Sequence, residues 1–316
     1  MITLVREPSL ARALAMRALA VLAAVVCLGQ VPPLAAQDAR PTFRSSVAVV
    51  PITAVVRDSR NRIVRDLSRR DFNVLENSRP RPILDFKAAD DGPVSLALLV
   101  DTSGSMRGPH LESARTVAEH VLTSLNPASD EVALFTFDKA LRQETPFTDD
   151  SGHVRQALDQ TDAWGLTSLY DAIADTAKRL AERQGHRHAL IVITDGVDTS
   201  SSITPMEVSG LASAIDVPVY VVAVTPPHVA NVSDEEGDLA YLADWTGGDV
   251  RYVVSPAHAE KTATALVAEL RHQYFLAIES AASTGWHRLD VRTARRGLTV
   301  RTRSGYFARS SHTSGE

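Results

Sequence analysis

Residues 94–105 read Val-Ser-Leu-Ala-Leu-Leu-Val-Asp-Thr-Ser-Gly-Ser, an apolar run that stops at a carboxylate and a loop of small polar residues. A continuous apolar run of this length is typical of a strand that is buried on both faces, as in a parallel sheet. Asp101, Ser103 and Ser105 occupy alternate positions after it, so that their three side-chain oxygens can be aimed at one point. This stretch therefore predicts both a fold class and the place of a site.

Downstream of this strand, apolar runs of strand character alternate with segments whose apolar residues recur at helical spacing. The alternation predicts an α/β fold with a doubly wound, mostly parallel, Rossmann-like sheet that is covered by helices on both faces. The predicted strands are 95–100, 131–137, 189–194, 217–224 and 251–254, with a short edge strand near 141–147. The predicted helices are 111–125, 153–158, 169–180, 206–215, 239–245 and 257–271.

The segments on either side of this region have β character. Strands are predicted at 47–56, 72–75 and 83–86, and again at 274–278, 287–292 and 298–303. Because neither segment is long enough to form a core alone, we expect them to pack together as one small discontinuous β-sandwich domain. The predicted organisation is a signal peptide (1–36), the first part of the sandwich (43–92), the α/β domain (94–270), the second part of the sandwich (271–308) and a polar tail (309–316).

The N-terminus has the pattern of an export signal. Three arginines precede the apolar stretch Ala18–Leu28, and small residues before Ala36 offer a cleavage site. The apolar stretch is short for a bilayer span, and an uncleaved membrane anchor is the alternative. Cleavage would remove three Arg and one Glu, changing the net charge from -5 to -7, together with the single cysteine, Cys27.

From these features we expect an exported protein, periplasmic or secreted, with no disulfide and no stable membrane span after cleavage. The acidic balance gives no basic field for nucleic acid. No later apolar run approaches transmembrane length.

Two further segments complete a candidate metal site with the loop after the first strand. Asp195 ends the predicted strand 189–194, and Thr167 precedes a predicted helix. The carboxyl ends of parallel strands share one sheet edge, which is where ligands bind in such folds. An oxygen-only set of donors suits a hard divalent cation, Mg²⁺ above all, with Mn²⁺ or Ca²⁺ as alternatives. The predicted ligands are Asp101, Ser103, Ser105, Thr167 and Asp195.

The motifs resemble those of a known family. Asp101, Ser103 and Ser105 match the DxSxS segment of the metal-ion-dependent adhesion site (MIDAS) of von Willebrand factor type A domains; Thr167 matches its middle threonine and Asp195 its later aspartate. The whole exported chain is similar to the bacterial exported "VWFA-related" proteins through Asp66-Leu-Ser-Arg-Arg-Asp-Phe72 and Arg303-Ser-Gly-Tyr306.

The resemblance implies an extracytoplasmic, metal-dependent protein-binding module whose ion captures an Asp or Glu carboxylate of a protein partner, with an anionic polymer as a lesser alternative. No enzymatic activity is expected. One competing hypothesis is a structural subunit of an envelope complex, in which the metal only makes the loops rigid. The other is a metal-dependent hydrolase, although the sequence has no G-x-S-x-G or H-E-x-x-H motif and no His or Glu visibly placed beside the metal loops as a general base.

Other polar features receive structural interpretations. Ser168 and Asp171 are interpreted as a capping box for the helix that follows. His186 and His188 are interpreted as a solvated strand entry rather than a zinc site. Asp234-Glu-Glu236 is interpreted as favourable charge at a helix N-terminus, with a second cation site as the alternative. Trp164 and Tyr170 flank Thr167, and we expect either core packing or a docking surface from them.

Overall fold

A computed structural model describes residues 49–88, 92–183, 186–224 and 234–308. All of them lie within one compact unit, residues 47–316. The predicted signal peptide, with its Cys27, and the predicted tail 309–316 are outside the described residues, as are residues 89–91 of the linker between the first β segment and the α/β region.

The secondary structure follows the predicted alternation. The strands of the described residues are β1 (Val49–Asp58), β2 (Phe72–Glu76), β3 (Arg79–Arg81), β4 (Asp85–Lys87), β5 (Val94–Asp101), β6 (Glu131–Phe137), β7 (Leu141–Gln143), β8 (Arg187–Thr194), β9 (Val219–Ala223), β10 (Val250–Tyr252), β11 (Tyr274–Glu279), β12 (Gly285–Thr293), β13 (Leu298–Thr302) and β14 (Gly305–Ala308). The helices are α1 (Pro109–Ser124), α2 (Ser151–Asp159), α3 (Leu169–Ala181), α4 (Pro205–Ala214), α5 (Asp234–Thr246) and α6 (Pro256–Arg271).

A six-stranded sheet in the order β10-β9-β8-β5-β6-β7 forms the centre of the fold. All of its pairs are parallel except the edge pair of β6 and β7. The chain runs from β5 outward to β6 and then returns past β5 to β8, so the strand order reverses between β5 and β8. The predicted α/β, doubly wound fold class is confirmed, and a ligand crevice belongs beside that reversal.

Helices cover both faces of this sheet because β5 is apolar on both. Leu96, Leu98 and Val100 pack in one core with α1 and α6, whereas Ala97 and Leu99 pack in a second core with α3 and α4. Every residue of β5 is buried. The continuous apolar run of the sequence is thus explained by two layers of helices rather than by one solvated face.

Two antiparallel sheets accompany the central sheet. Their orders are β13-β1-β11-β4 and β14-β12-β2-β3, so strands from before the α/β region pair with strands from after it. Ile52, Phe72, Tyr274 and Leu289 are buried in a core that both sheets share. This pairing is the arrangement expected of the two β segments, which are too short to bury a core separately; the exact domain limits stay a prediction.

Several boundaries differ from the predicted ones for local reasons. The edge strand near 141–147 is reduced to β7, and Phe147 packs instead as a partly buried residue of the core around Phe135. Helix α5 begins at Asp234 rather than at residue 239. Helix α4 begins one residue early because Pro205 occupies its first turn and Thr204 forms a capping box with Glu207. Among the described helices, none has the length and apolarity to cross a membrane.

Candidate metal site

Asp101 is the last residue of β5, and its side chain is fully buried. Its Oδ1 accepts a hydrogen bond from the Ser103 backbone N–H at 2.8 Å, and its Oδ2 accepts one from the Thr194 hydroxyl at 2.6 Å. No ion pair among the described residues includes Asp101. Its carboxylate is therefore held in one orientation by neutral donors, without a basic side chain to balance its charge.

The electrostatics at Asp101 favour an added positive charge. Burial raises the pKa of Asp101 from 3.8 to about 6, hydrogen bonds from Thr194 and Ser103 oppose the rise, and the negative charge of Asp195 adds to it. The carboxylates of Asp101 and Asp195 are thus close enough to repel each other. A buried carboxylate in these surroundings is stabilised by a cation, because the two hydrogen bonds offset only part of its loss of hydration and no described basic side chain pairs with it.

The loop after β5 presents its hydroxyls together. The Oγ atoms of Ser103 and Ser105 are 3.1 Å apart, with Ser103 buried and Ser105 exposed. Gly104 N–H donates to the Gly165 carbonyl at 3.0 Å, and a Cβ at Gly104 would lie 3.1 Å from that oxygen. Glycine at residue 104 therefore allows the close approach of two loops and is not there for an unusual backbone conformation.

Thr167 lies where the segment before α3 contacts the segment that follows β8. Its backbone N–H donates to the Thr199 hydroxyl at 2.9 Å, and its carbonyl accepts from the Thr199 and Ser200 N–H groups, both at 2.9 Å. No hydrogen bond among the described residues uses the Thr167 hydroxyl, although the residue is buried. That oxygen is therefore available to a ligand.

Thr194, at the end of β8, connects this strand to the end of β5. Its hydroxyl donates to Asp101 and accepts from the Gly196 N–H at 3.0 Å, while Asp195 between them is partly exposed. The backbone N–H of Trp164 donates to the Thr102 carbonyl oxygen at 2.8 Å, which joins the segment before α3 to the loop after β5. The structure thus brings together all three segments that carry the five predicted ligands. Thr194 is a residue that sequence reasoning missed, since a threonine inside an apolar strand gives no distinguishing signal.

The predicted capping box at the start of α3 is wrong. The Ser168 side chain makes no capping bond and instead contacts the Ser200 hydroxyl at 2.8 Å. The free N–H groups of α3 are capped from another segment: Leu169 N–H donates to Asp198 Oδ1 at 2.7 Å, and Tyr170 N–H donates to Ser201 Oγ at 3.0 Å. The chain after Asp195 therefore holds both Thr167 and the helix behind it.

A recess of about 710 Å³ opens beside the metal loops. Thr102 and Trp164 belong to its wall on the metal side, and Arg142, Gln156 and Gln160 provide hydrogen-bonding groups farther away. Arg142 is held by Asp138, with a distance of 2.9 Å between Nη2 and Oδ2. Burial alone would raise the pKa of Asp138, but the hydrogen bonds and charge of Arg142 outweigh this effect, so that the pKa lies below its usual value. The recess is therefore a polar cavity with one fixed guanidinium.

The outer rim of the site is apolar. Trp164 is 60% exposed and Leu166 is 53% exposed, and Val197, two residues after Asp195, is also exposed. The docking-surface interpretation of Trp164 is the one its exposure supports. Tyr170 is buried and belongs to the core of the second helical layer.

His110, His186 and His188 differ in their surroundings. His110 Nδ1 lies 3.2 Å from the Ser105 carbonyl oxygen, so one histidine does stand beside a metal loop, contrary to the expectation from sequence. His186 lies near Glu131, and burial lowers the pKa of His188. Among the described residues, no group of three His, Cys, Asp or Glu side chains could hold a metal ion, and the side chains of Asp234, Glu235 and Glu236 are outside the described set.

Comparison with protein families adds one decisive observation. Residues 96–207, which contain all five predicted ligands, match the model of the von Willebrand factor type A domain. The predicted resemblance to von Willebrand factor type A domains is confirmed over these residues. The match covers β5 through the beginning of α4 and leaves the antiparallel sheets outside it. No curated protein matches the chain.

Solved structures resemble the von Willebrand factor type A fold of this chain at low identity. BatB from Bacteroides thetaiotaomicron is 18% identical over 56% of this chain and 98% of its own, with a TM-score of 0.48. A von Willebrand factor type A protein from Catenulispora acidiphila is 14% identical over 86% of this chain and 76% of its own, with a TM-score of 0.49. Proximal thread matrix protein 1 from the mussel byssus, with a zinc-occupied MIDAS motif, is 16% identical over 60% of this chain and 48% of its own, with a TM-score of 0.47.

Proposed function

We propose that this von Willebrand factor type A domain is an extracytoplasmic protein-binding module that depends on a divalent cation, Mg²⁺. The cation would be held by Asp101, Ser103, Ser105, Thr167 and Asp195. The observation that carries the proposal is the Asp101 carboxylate, which is fully buried beside Asp195 and has no ion-pair partner among the described residues.

The donor set fits a hard cation. Two carboxylates and three hydroxyls offer oxygen only, and the three segments are joined by short hydrogen bonds at one sheet edge. When bound, the cation would supply positive charge and an incomplete coordination shell, which a carboxylate of a protein partner can complete. The chain's own residues orient the site: Thr194 and the Ser103 N–H fix Asp101, and Thr199 fixes Thr167.

Specificity would come from the groups around the metal. Trp164 and Leu166 expose apolar surface at the rim, and exposed aromatic side chains of this kind are common energetic centres of protein interfaces. The recess with Arg142 offers a place for a polar side chain next to the partner's metal-binding carboxylate. A protein partner therefore fits the site better than a featureless anionic polymer.

A Mg²⁺-dependent pull-down from the native envelope tests the proposal. The wild-type chain should retain a partner in Mg²⁺ and release it in EDTA, and Asp101→Ala should retain none. Asp175→Ala is the matched control, because Asp175 is an exposed carboxylate on α3 that pairs, among the described residues, with Lys178 alone. Recovery of the same partner by Asp101→Ala, or retention in EDTA, would refute a recognition role for the metal.

The two competing functions give different results in the same experiments. A structural subunit predicts that Asp101→Ala lowers thermal stability while the partner is still retained. His110 bears on the hydrolase hypothesis, because this histidine contacts the metal loop at Ser105, where a general base would be needed. Turnover of ester, phosphate or peptide substrates that is lost in both EDTA and His110→Gln would establish it in place of the binding module.

A further inference from the structure

The two parts of the chain carry opposite charge. In the residues of the antiparallel sheets, 49–88 and 272–308, there are 15 Lys and Arg against 7 Asp and Glu, a net charge of +8. In residues 92–271 there are 12 basic against 26 acidic residues, a net charge of -14. The overall value of -5 hides this separation. Fourteen of the 15 basic residues of the antiparallel sheets are arginine, so the basic part has a specific chemistry as well as a sign.

Much of this charge is gathered at one end of the antiparallel sheets, here called the arginine tip and defined as residues 58–71 and 290–297. It contains eight Arg and four Asp. The two segments are in contact: Ala294 N–H donates to the Asp71 carbonyl at 2.8 Å, and Arg295 pairs with Asp66 and Asp71, each at 3.0 Å. The register places Asp58 opposite Leu298, immediately after the second segment.

The acidic residues of the tip are all neutralised locally. Asp58 pairs with Arg62, Asp290 pairs with Arg292, and Arg295 neutralises Asp66 and Asp71. Four other arginines of the tip are exposed, and none of their side chains has a hydrogen bond or ion pair to any described residue. They are Arg60, Arg65, Arg70 and Arg296. The tip therefore presents four guanidinium groups whose charge the described chain does not use.

A recess of about 720 Å³ adjoins this charge. Arg69, Arg70 and Arg292 line it together with apolar side chains that include Leu75 and Ile83. Soluble surfaces usually mix both signs of charge, so a group of arginines that no neighbouring carboxylate neutralises indicates an anionic partner.

We propose that the arginine tip docks on an anionic phospholipid surface. Guanidinium groups bind phosphate oxygens through two parallel hydrogen bonds, which a headgroup layer offers repeatedly. The tip consists of the hairpin turn between Arg57 and Ile63, a short 3-10 turn and the loop that connects β12 to β13 in the other sheet, so its four exposed, unneutralised arginines project from turns and loops rather than from a sheet face. This role is separate from the metal site and does not depend on it.

Vesicle co-sedimentation tests the proposal. The chain from residue 37 onward is used, since it contains the compact unit 47–316 and lacks the apolar stretch Ala18–Leu28, which would bind lipid by itself. Vesicles of phosphatidylglycerol and phosphatidylcholine in equal amounts are compared with pure phosphatidylcholine at low salt. R65Q/R70Q/R296Q is the test variant, and K139Q/K178Q/K261Q is the matched control that removes the same charge from exposed lysines of the α/β region.

The wild type and the control should bind the anionic vesicles and not the neutral ones. The partition coefficient of the test variant onto the anionic vesicles should be about 100-fold lower than that of the wild type, because three arginines that lie near the anionic surface have been removed. Asp101→Ala should bind vesicles like the wild type, which separates this result from failure of the metal site. Equal loss in both triple variants, equal binding to neutral vesicles, or binding to soluble polyphosphate without binding to anionic vesicles would each overturn the proposal. Unchanged thermal unfolding of the variants confirms that they are folded.

Discussion

Asp101 carries a cost in the metal-free protein because its charge is buried. At the end of β5 its two oxygens accept hydrogen bonds from a backbone N–H and a threonine hydroxyl, which orient the carboxylate but do not neutralise it. A site of this kind is destabilising until a cation arrives, so binding energy and stability are coupled at a single residue.

A pH experiment on metal-free protein measures this cost. The folded-state pKa of Asp101 is raised above its ordinary value of 3.8 to about 6, so the carboxylate destabilises the fold above pH 6 and has no such effect below the unfolded pKa. Asp101→Asn removes the charge. In EDTA the free energy of unfolding of Asp101→Asn minus that of the wild type should therefore be up to about 3 kcal/mol higher, that is more stabilising, at pH 7.5 than at pH 4.

Urea denaturation at the two pH values gives both free energies. Asp175→Asn is the control, since Asp175 is exposed and should show no difference of this size. A relative stability of Asp101→Asn that does not change with pH would contradict the burial of an ionised carboxylate at this position.

Trp164 separates recognition from metal binding. Its side chain is exposed at the rim of the site, whereas its backbone N–H supports the Asp101 loop. Trp164→Ala should keep the thermal stabilisation by Mg²⁺ and should weaken binding of the partner captured by the wild type by about 2 kcal/mol or more, as for a typical interface hot spot. Tyr241→Ala, a change at a half-exposed aromatic residue on α5, serves as the control in calorimetry. Undiminished affinity of Trp164→Ala would exclude the rim from the interface.

At the scale of elements, the segment after β8 organises the site from a distance in sequence. Asp198 and Ser201 cap α3, and Thr199 and Ser200 bind the backbone of Thr167 immediately before that helix. The position of Thr167 and the stability of α3 therefore depend on the same loop, which also carries Asp195.

Asp198→Ala tests this coupling. Loss of the cap should destabilise the protein by about 1–2 kcal/mol and should also weaken Mg²⁺ binding, because the loop that holds Thr167 is released. Asp150→Ala is a matched control: Asp150 caps α2 through Gly152 and His153, and α2 provides no predicted ligand. It should cost similar stability with unchanged Mg²⁺ affinity in a calorimetric titration. Equal Mg²⁺ affinity in both variants would show that the cap and the site are independent.

At the scale of the whole molecule, one buried carboxylate joins the central sheet to an antiparallel sheet. Glu269 on α6 is fully buried and forms ion pairs with Arg57 of β1, Arg251 of β10 and Arg301 of β13. Three strands from two sheets therefore converge on one helix through charge. Removal of Glu269 would leave Arg57 without an ion pair to any described residue, whereas Arg251 and Arg301 would still share Asp249.

Glu269→Ala should lower the free energy of unfolding by about 3–5 kcal/mol, as for other broken buried ion pairs. Glu260→Ala, an exposed change on the same helix, should have little effect. Chemical denaturation of both variants gives the comparison. A loss below about 1 kcal/mol for Glu269→Ala would mean that apolar packing alone holds the helix to the two sheets.

The sequence by itself determined the elements whose signal is local. The apolar run of β5 predicts a strand that is covered on both faces, because each of its residues must leave water. The helices are predicted by apolar residues that recur at helical spacing, because each helix buries one face against the sheet. The five candidate ligands could be found because the carboxyl ends of parallel strands meet at one edge, a rule that needs no coordinates.

Only the tertiary structure decided the contacts between segments that are distant in sequence. The capping of α3 by Asp198, the support of Asp101 by Thr194, the pairing of Arg295 with Asp66 and the convergence on Glu269 all join polar groups far apart in the chain. A polar residue gives no sign of its partner in sequence, because several partners satisfy the same hydrogen bond or charge equally well. The folded backbone selects one of them by bringing it within reach.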